Sequence, residues 1–155
     1  MRIQNIGKVI AVGLLGLFPF SASAQVANFV FTSEPQTIEV GAASEQLTVQ
    51  AQDSSGASAG VSSTACLSLT TASAQGQFSS SASSWNPVTI LTMNKNTANK
   101  NFYYKDTLAG AQTLTVRAAL RPESVTSSCA SWPLDQWNIQ WTAVQNISIG
   151  SQTSN

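Results

Sequence analysis

The residues best equipped for chemistry cluster in "NKNFYYKDTLAG", Asn99 to Gly110. Tyr103, Tyr104, Lys105 and Asp106 follow one another there, and a tyrosine, an amine and a carboxylate could in principle move protons between them. Their spacing argues otherwise. An extended chain sends adjacent side chains to opposite faces, so Tyr104 and Lys105 diverge. Phe102 and Tyr104 share one face, expected to be the core. Asn101, Tyr103 and Lys105 share the other. Asp106, Thr107 and Gly110 then form a corner, glycine tolerating a positive φ at little steric cost. A tyrosine at such a corner usually buries its ring and bonds its hydroxyl to nearby backbone.

Histidine is absent from the 155 residues, which removes the usual base for a serine or cysteine nucleophile. Cys129 stands in "TSSCASW", which has no serine-elbow pattern, and no glycine-rich phosphate loop occurs. The carboxylates Glu34, Glu39, Glu45, Asp53, Asp106, Glu123 and Asp135 are scattered, and nothing in their spacing pairs two across a cleft as glycoside hydrolysis requires. "DSSG" at Asp53 falls short of a calcium loop. Two cysteines without histidine cannot fill a zinc shell. No cofactor or metal is therefore expected, and a secreted hydrolase is the weakest of the functional readings.

Recognition has one candidate stretch, "SWPLDQWNIQW", which holds Trp132, Trp137 and Trp141. Exposed tryptophans stack on sugar rings or anchor protein contacts. Trp141 shares the phase of Ile139 and Ala143 and is expected in the core. Trp132 and Trp137 are less constrained: they are the candidate recognition surface, or they pack within their own loop.

Charged residues make up only 9% of the chain, and its polar character comes from Ser, Thr, Gln and Asn. That composition suits a β-rich extracellular protein, because helix surfaces draw on Glu, Lys and Arg. The first 24 residues have the form of a secretory signal peptide: Arg2 and Lys8, an apolar run from Val9 to Phe18, then Ala22 and Ala24 before the expected cut. An uncleaved anchor is the other reading, but the run is short for a bilayer. Processing would leave five basic and seven acidic side chains, a balance that excludes nucleic acid as partner. The membrane would be met only through the export signal. In an exported chain, Cys66 and Cys129 are expected to pair; two buried thiols are the alternative.

Residues 25–149 carry short alternating runs separated by turn residues. They are "ANFVF", "QTIEV", "QLTVQAQ", "ACLSLT", "VTILTM", "NFYYK", "QTLTVRAAL" and "NIQWTAVQNISI". In "ACLSLT", Ala65, Leu67 and Leu69 share a face and Cys66 points the other way. Ser79 to Ser84 is expected to be a loop pinned by Phe78 and Trp85, and residues 150–155 a flexible tail. The pattern predicts an all-β, immunoglobulin-like sandwich of about seven to eight antiparallel strands.

The segments "LTVQAQDSSG", "CLSLTTASAQGQF", "NTANKNFYYKDTLAGAQTLTV" and "WTAVQNISI" resemble bacterial immunoglobulin-like repeats of the invasin-like type, found in exported surface proteins. The resemblance runs from Phe29 to Ile149 and is most specific in "NFYYKDTLAG". It implies a sandwich used as a stalk, spacer or adhesive unit at a cell surface, with no catalysis. The sequence departs from that type in the long Trp- and Cys-containing stretch before the last strand, where such repeats have a shorter hairpin. In this topology a Cys66–Cys129 bond would pin the long loop to one end of the sandwich. The leading functional expectation is a non-enzymatic, secreted or cell-surface module that meets a protein or glycan. A carbohydrate-binding module stacking sugars on Trp132 and Trp137 is the alternative. A further possibility is pairing of the first strand with another copy's sheet edge.

Overall fold

Period-two alternation drives short extended segments, because pairing them hides one side of each from water. The computed structural model describes residues 24–151. The strands are β1 Asn28–Phe31, β2 Thr37–Glu39, β3 Leu47–Gln52, β4 Ala65–Thr71, β5 Gln77–Ser79, β6 Ile90–Met93, β7 Asn99–Lys105, β8 Gly110–Leu120 and β9 Trp141–Gly150. A single 3-10 turn, Leu134–Gln136, is the only helical element among the described residues. The expected signal peptide lies, but for Ala24, outside the described residues, as do residues 152–155 of the expected tail.

Two sheets result, ordered β1-β3-β7-β5 and β2-β9-β8-β4-β6. They face each other across one core. Leu47, Val49, Phe102 and Tyr104 come from the first sheet; Leu67, Leu69, Leu114 and Val116 come from the second. The fold is an all-β sandwich. It has nine strands, one more than the eight runs, because β5 forms around Phe78, the residue expected only to pin the Ser79–Ser84 loop: Phe78 lies opposite Tyr104 in the register. Three residues with one apolar side chain leave no visible alternation.

One pairing is parallel, against the all-antiparallel expectation. The chain leaves β1, which pairs with β3, and crosses to the other sheet without reversing direction. There β2 runs beside β9, with Thr37, Ile38 and Glu39 opposite Ser148, Ile149 and Gly150. Gln145 holds this crossover. Its Nε2 donates to the Ser33 carbonyl at 2.7 Å, and its Oε1 accepts from the Ser33 hydroxyl at 3.3 Å. The opposite side is closed by Pro87–Thr89. Val88 N–H donates to the Phe78 carbonyl on the first sheet and Leu69 N–H to the Thr89 carbonyl on the second, so the chain changes sheets here and β6 starts at Ile90, not at Val88.

Strand β9 also starts later than expected, at Trp141, so Ile139 is exposed in the preceding loop. It ends later too: Gly150, expected in the tail, is its last residue and pairs with Glu39. Trp141 packs against Phe29, ring centroids 5.2 Å apart, and its Nε1 donates to the Ala27 carbonyl at 3.0 Å. It closes the end of the core and does not fill the centre.

Candidate functional site

The corner after β7 forms because the pleat carries Tyr104 inward and the chain must then turn. Phe102, Tyr104 and Asp106 are all at 0% exposure. The Tyr104 hydroxyl donates to Asp106 Oδ2 at 2.6 Å and lies 3.1 Å from the Thr71 hydroxyl. The Leu108 N–H donates to Asp106 Oδ1 at 2.8 Å. Ser44 exchanges two bonds with Tyr104: its N–H donates to the Tyr104 carbonyl, and its Oγ accepts the Tyr104 N–H. Gly110 ends the turn at φ +128°, a conformation that favours glycine.

These contacts fix the charge states. Burial opposes ionisation of Asp106, but bonds from Tyr104, Leu108, Ser73 and Thr107 outweigh it and hold the carboxyl below the usual range. Burial, then the bond to Asp106, pushes the Tyr104 phenol well above its ordinary value. The pair is thus a neutral phenol on a buried carboxylate. Its polar atoms are engaged within the fold and have no path to a substrate. Lys105, the third member of the sequence cluster, lies on the opposite face, its Nζ 4.3 Å from the centroid of Trp85.

The long loop is built on the other side of the sheet. Cys66 points away from the core, sits opposite Ala119 in the β4–β8 register, and is bonded to Cys129 with Cα atoms 5.3 Å apart. The small Ala119 leaves room for the loop to lie against the sheet. Cys66, Ala119, Cys129, Trp132 and Trp137 form a second buried cluster, with Ile90 and Val125 packed at its border. The loop therefore folds back over the outer surface of the five-stranded sheet, at the end where β4 begins. This corrects the candidate recognition surface. Trp132 is only 4% exposed and Trp137 only 7%. Their rings stack on each other, and the Trp137 Nε1 donates to the Trp132 carbonyl at 3.1 Å. Neither presents a ring face to a sugar. Two tryptophans near a cysteine pack over the bridge because its sulfurs and the alanine offer an apolar floor.

Sequence reasoning missed the groups that complete the corner, Ser44, Thr71, Ser73 and Gly76. Thr71 ends β4 and the others lie in loops distant in sequence from Asp106, and small residues in a serine-rich chain carry no individual signal. Among the described residues there is no group of three or more Cys, Asp or Glu placed to hold a metal ion. Asp53 is engaged in its own turn, accepting from Ser55 Oγ, Ser55 N–H and Ala57 N–H, bonds that lower its pKa. A cleft of about 490 Å³ opens beside Trp141, lined also by Gln25, Ser62, Leu120 and Gln140.

No protein-family model and no curated protein matches the chain. Solved structures do. SSP-19, an MSP-domain protein-like family member of Caenorhabditis elegans, aligns at a TM-score of 0.51 and 10% identity, over 74% of this chain and 92% of that one. A conjugative transposon lipoprotein from Bacteroides eggerthii aligns at 0.46 and 9% identity, over 78% and 97%. The cohesin module of a Clostridium perfringens family 33 glycoside hydrolase aligns at 0.43 and 9%, over 83% and 99%. At 10% identity the likeness to SSP-19 concerns architecture alone, and the architecture is that of an immunoglobulin-like β-sandwich.

Proposed function

We propose that the chain is a non-enzymatic structural module of an exported surface protein, a spacer or adhesive unit of the invasin-like kind. The observation that carries this reading is the placement of the outermost strands. The chain enters beside Trp141, whose indole holds Ala27, and leaves at Gly150, the far end of β9. A ten-residue strand spans roughly 30 Å, so entry and exit lie at opposite poles. Tension between them slides β2 against the parallel β9. The bonds from Ser148 N–H to Gln36 and from Val40 N–H to Gly150 then bear load together, in shear, and do not open one after another. The buried disulfide suits an oxidising compartment and agrees with export.

Single-molecule force spectroscopy tests the reading. Pulled through its ends, the domain is expected to unfold at a markedly higher force than when handles peel β9 from Gly150 alone. Val40→Pro, which removes one of the loaded donors, is expected to lower only the first of these. Equal forces in the two geometries would overturn the proposal.

A further inference from the structure

Outside the core, the four-stranded sheet carries an ordered row of neutral polar groups. Thr48, Gln50 and Gln52 on β3 stand beside Asn99 and Asn101 on β7, with Gln50 opposite Asn99 and Thr48 opposite Asn101. Gln52 Nε2 donates to Gln50 Oε1 at 2.9 Å, and Gln50 Nε2 to Asn99 Oδ1 at 2.9 Å. Thr48 Oγ1 donates to Asn101 Oδ1 at 3.0 Å. The two asparagines thus engage their carbonyl oxygens with neighbours and leave their –NH2 groups toward solvent. Tyr103 follows on the same face, half-buried, its hydroxyl 3.4 Å from Gln46 Oε1. Lys105 ends the row over the Trp85 indole, which is itself tied to Gln77.

We propose that this face is a binding track for a neutral polysaccharide, a role separate from the spacer function. Asn99, Asn101, Tyr103 and Lys105 run along β7 at a spacing of roughly 6.8 Å, an extent of about 20 Å. That order presents two amide donors followed by an aromatic ring. Amides bond the hydroxyls of a sugar, and an aromatic ring accepts its C–H face. The ladder fixes the side chains before the ligand arrives, which lowers the ordering cost of binding. Charge selects the class of polymer. The row has one cation and no carboxylate, too little positive charge for nucleic acid or an acidic glycan. Its apolar groups, Val30 beside Gln50, Tyr103 and Trp85, are all half-buried and do not form the exposed apolar face a lipid surface would need.

The test is affinity electrophoresis of the processed protein through gels containing soluble β-glucan, mannan or xyloglucan, with alginate as the acidic control. Retardation in at least one neutral polymer is expected. Tyr103→Ala and the pair Asn99→Ala/Asn101→Ala are each expected to weaken it about ten-fold or more. Val144→Ala, on the exposed face of the other sheet, is expected to leave it unchanged. All these positions lie outside the core, and an unchanged thermal midpoint confirms an intact fold. No retardation in any neutral polymer would overturn the proposal. So would retardation that survives both face variants, or retardation confined to alginate and lost in Lys105→Ala.

Discussion

Trp132 and Trp137 stack with ring centroids 5.3 Å apart and planes 26° from parallel, in the same buried cluster as the Cys66–Cys129 bridge. The pair links a covalent restraint to a packing unit that is separate from the main core. Removing the bridge with Cys66→Ser/Cys129→Ser should therefore act on the loop first. The cysteines are separated by 63 positions, and the chain-entropy relation gives about 4 kcal/mol for such a crosslink. The expected outcome is a lower denaturation midpoint, red-shifted tryptophan emission and a retained β-type far-ultraviolet spectrum. Emission that does not shift would show that packing alone holds the loop.

The Tyr104–Asp106 bond makes two predictions. Tyr104→Phe removes a donor from a buried carboxylate, and losing a hydrogen bond to a charged group costs about 1.5–3 kcal/mol. Denaturant titration at neutral pH checks this; a change within error would mean that Asp106 finds a replacement partner.

Stability should also fall at both extremes of pH. Asp106 titrates lower in the folded chain than unfolded, so its contribution is present above the ordinary carboxylate value. It is lost as pH falls through the depressed folded value. Tyr104 titrates higher when folded, so its contribution is complete below about pH 10 and declines as pH rises beyond it. Midpoints measured across pH in wild type and Tyr104→Phe should converge in strong alkali. Parallel curves throughout would contradict the assignment.

Gly76 is needed for space and not for backbone conformation. A Cβ there would collide with the Tyr104 hydroxyl, and would stand 2.7 Å from Thr71 Cγ2 and 2.9 Å from Tyr104 Cε2. Gly76→Ala should cost about 1–3 kcal/mol through forced repacking. The combination with Tyr104→Phe, which removes the atom in closest conflict, should cost less than the two changes summed. Strict additivity in a double-mutant cycle would argue against this contact.

Much of the architecture was legible because burial in a sandwich writes itself into the chain at period two. "LTVQAQ" marks Leu47, Val49 and Ala51 as inward, and all three are almost fully buried. The alternation in "NFYYK" likewise separates two rings with no exposure from Tyr103 and Lys105 outside. Where one face is not covered evenly, the signal fails. β4 is buried on both sides at Cys66, since the returning loop covers its outer surface there, and nothing local announces that cover. The burial of Trp132 and Trp137 follows from the same cover. β5 is too short for a pattern, and the parallel placement of β2 is a matter of topology. The outer row on β3 and β7 was present as polar alternation, but its function as a unit needs the register that sets Gln50 beside Asn99.

Gln145 breaks the apolar pattern of β9, being inward in phase with Ala143 and Ile147 yet polar and buried. Its bonds to Ser33 fasten the segment where the chain passes from one sheet to the other. Gln145→Leu keeps roughly the volume but leaves the Ser33 carbonyl without that donor, at a cost of about 1–3 kcal/mol. The loss should be local, because β2 has only three residues and depends on the crossover for its position. Amide exchange is expected to quicken at Val40 and Ser148, which bond across the β2–β9 pairing, while Val49 and Val116 in the central strands keep their relative protection. Uniform quickening at all four amides would instead show that Gln145 contributes only to global stability and that the crossover is not a separate unit.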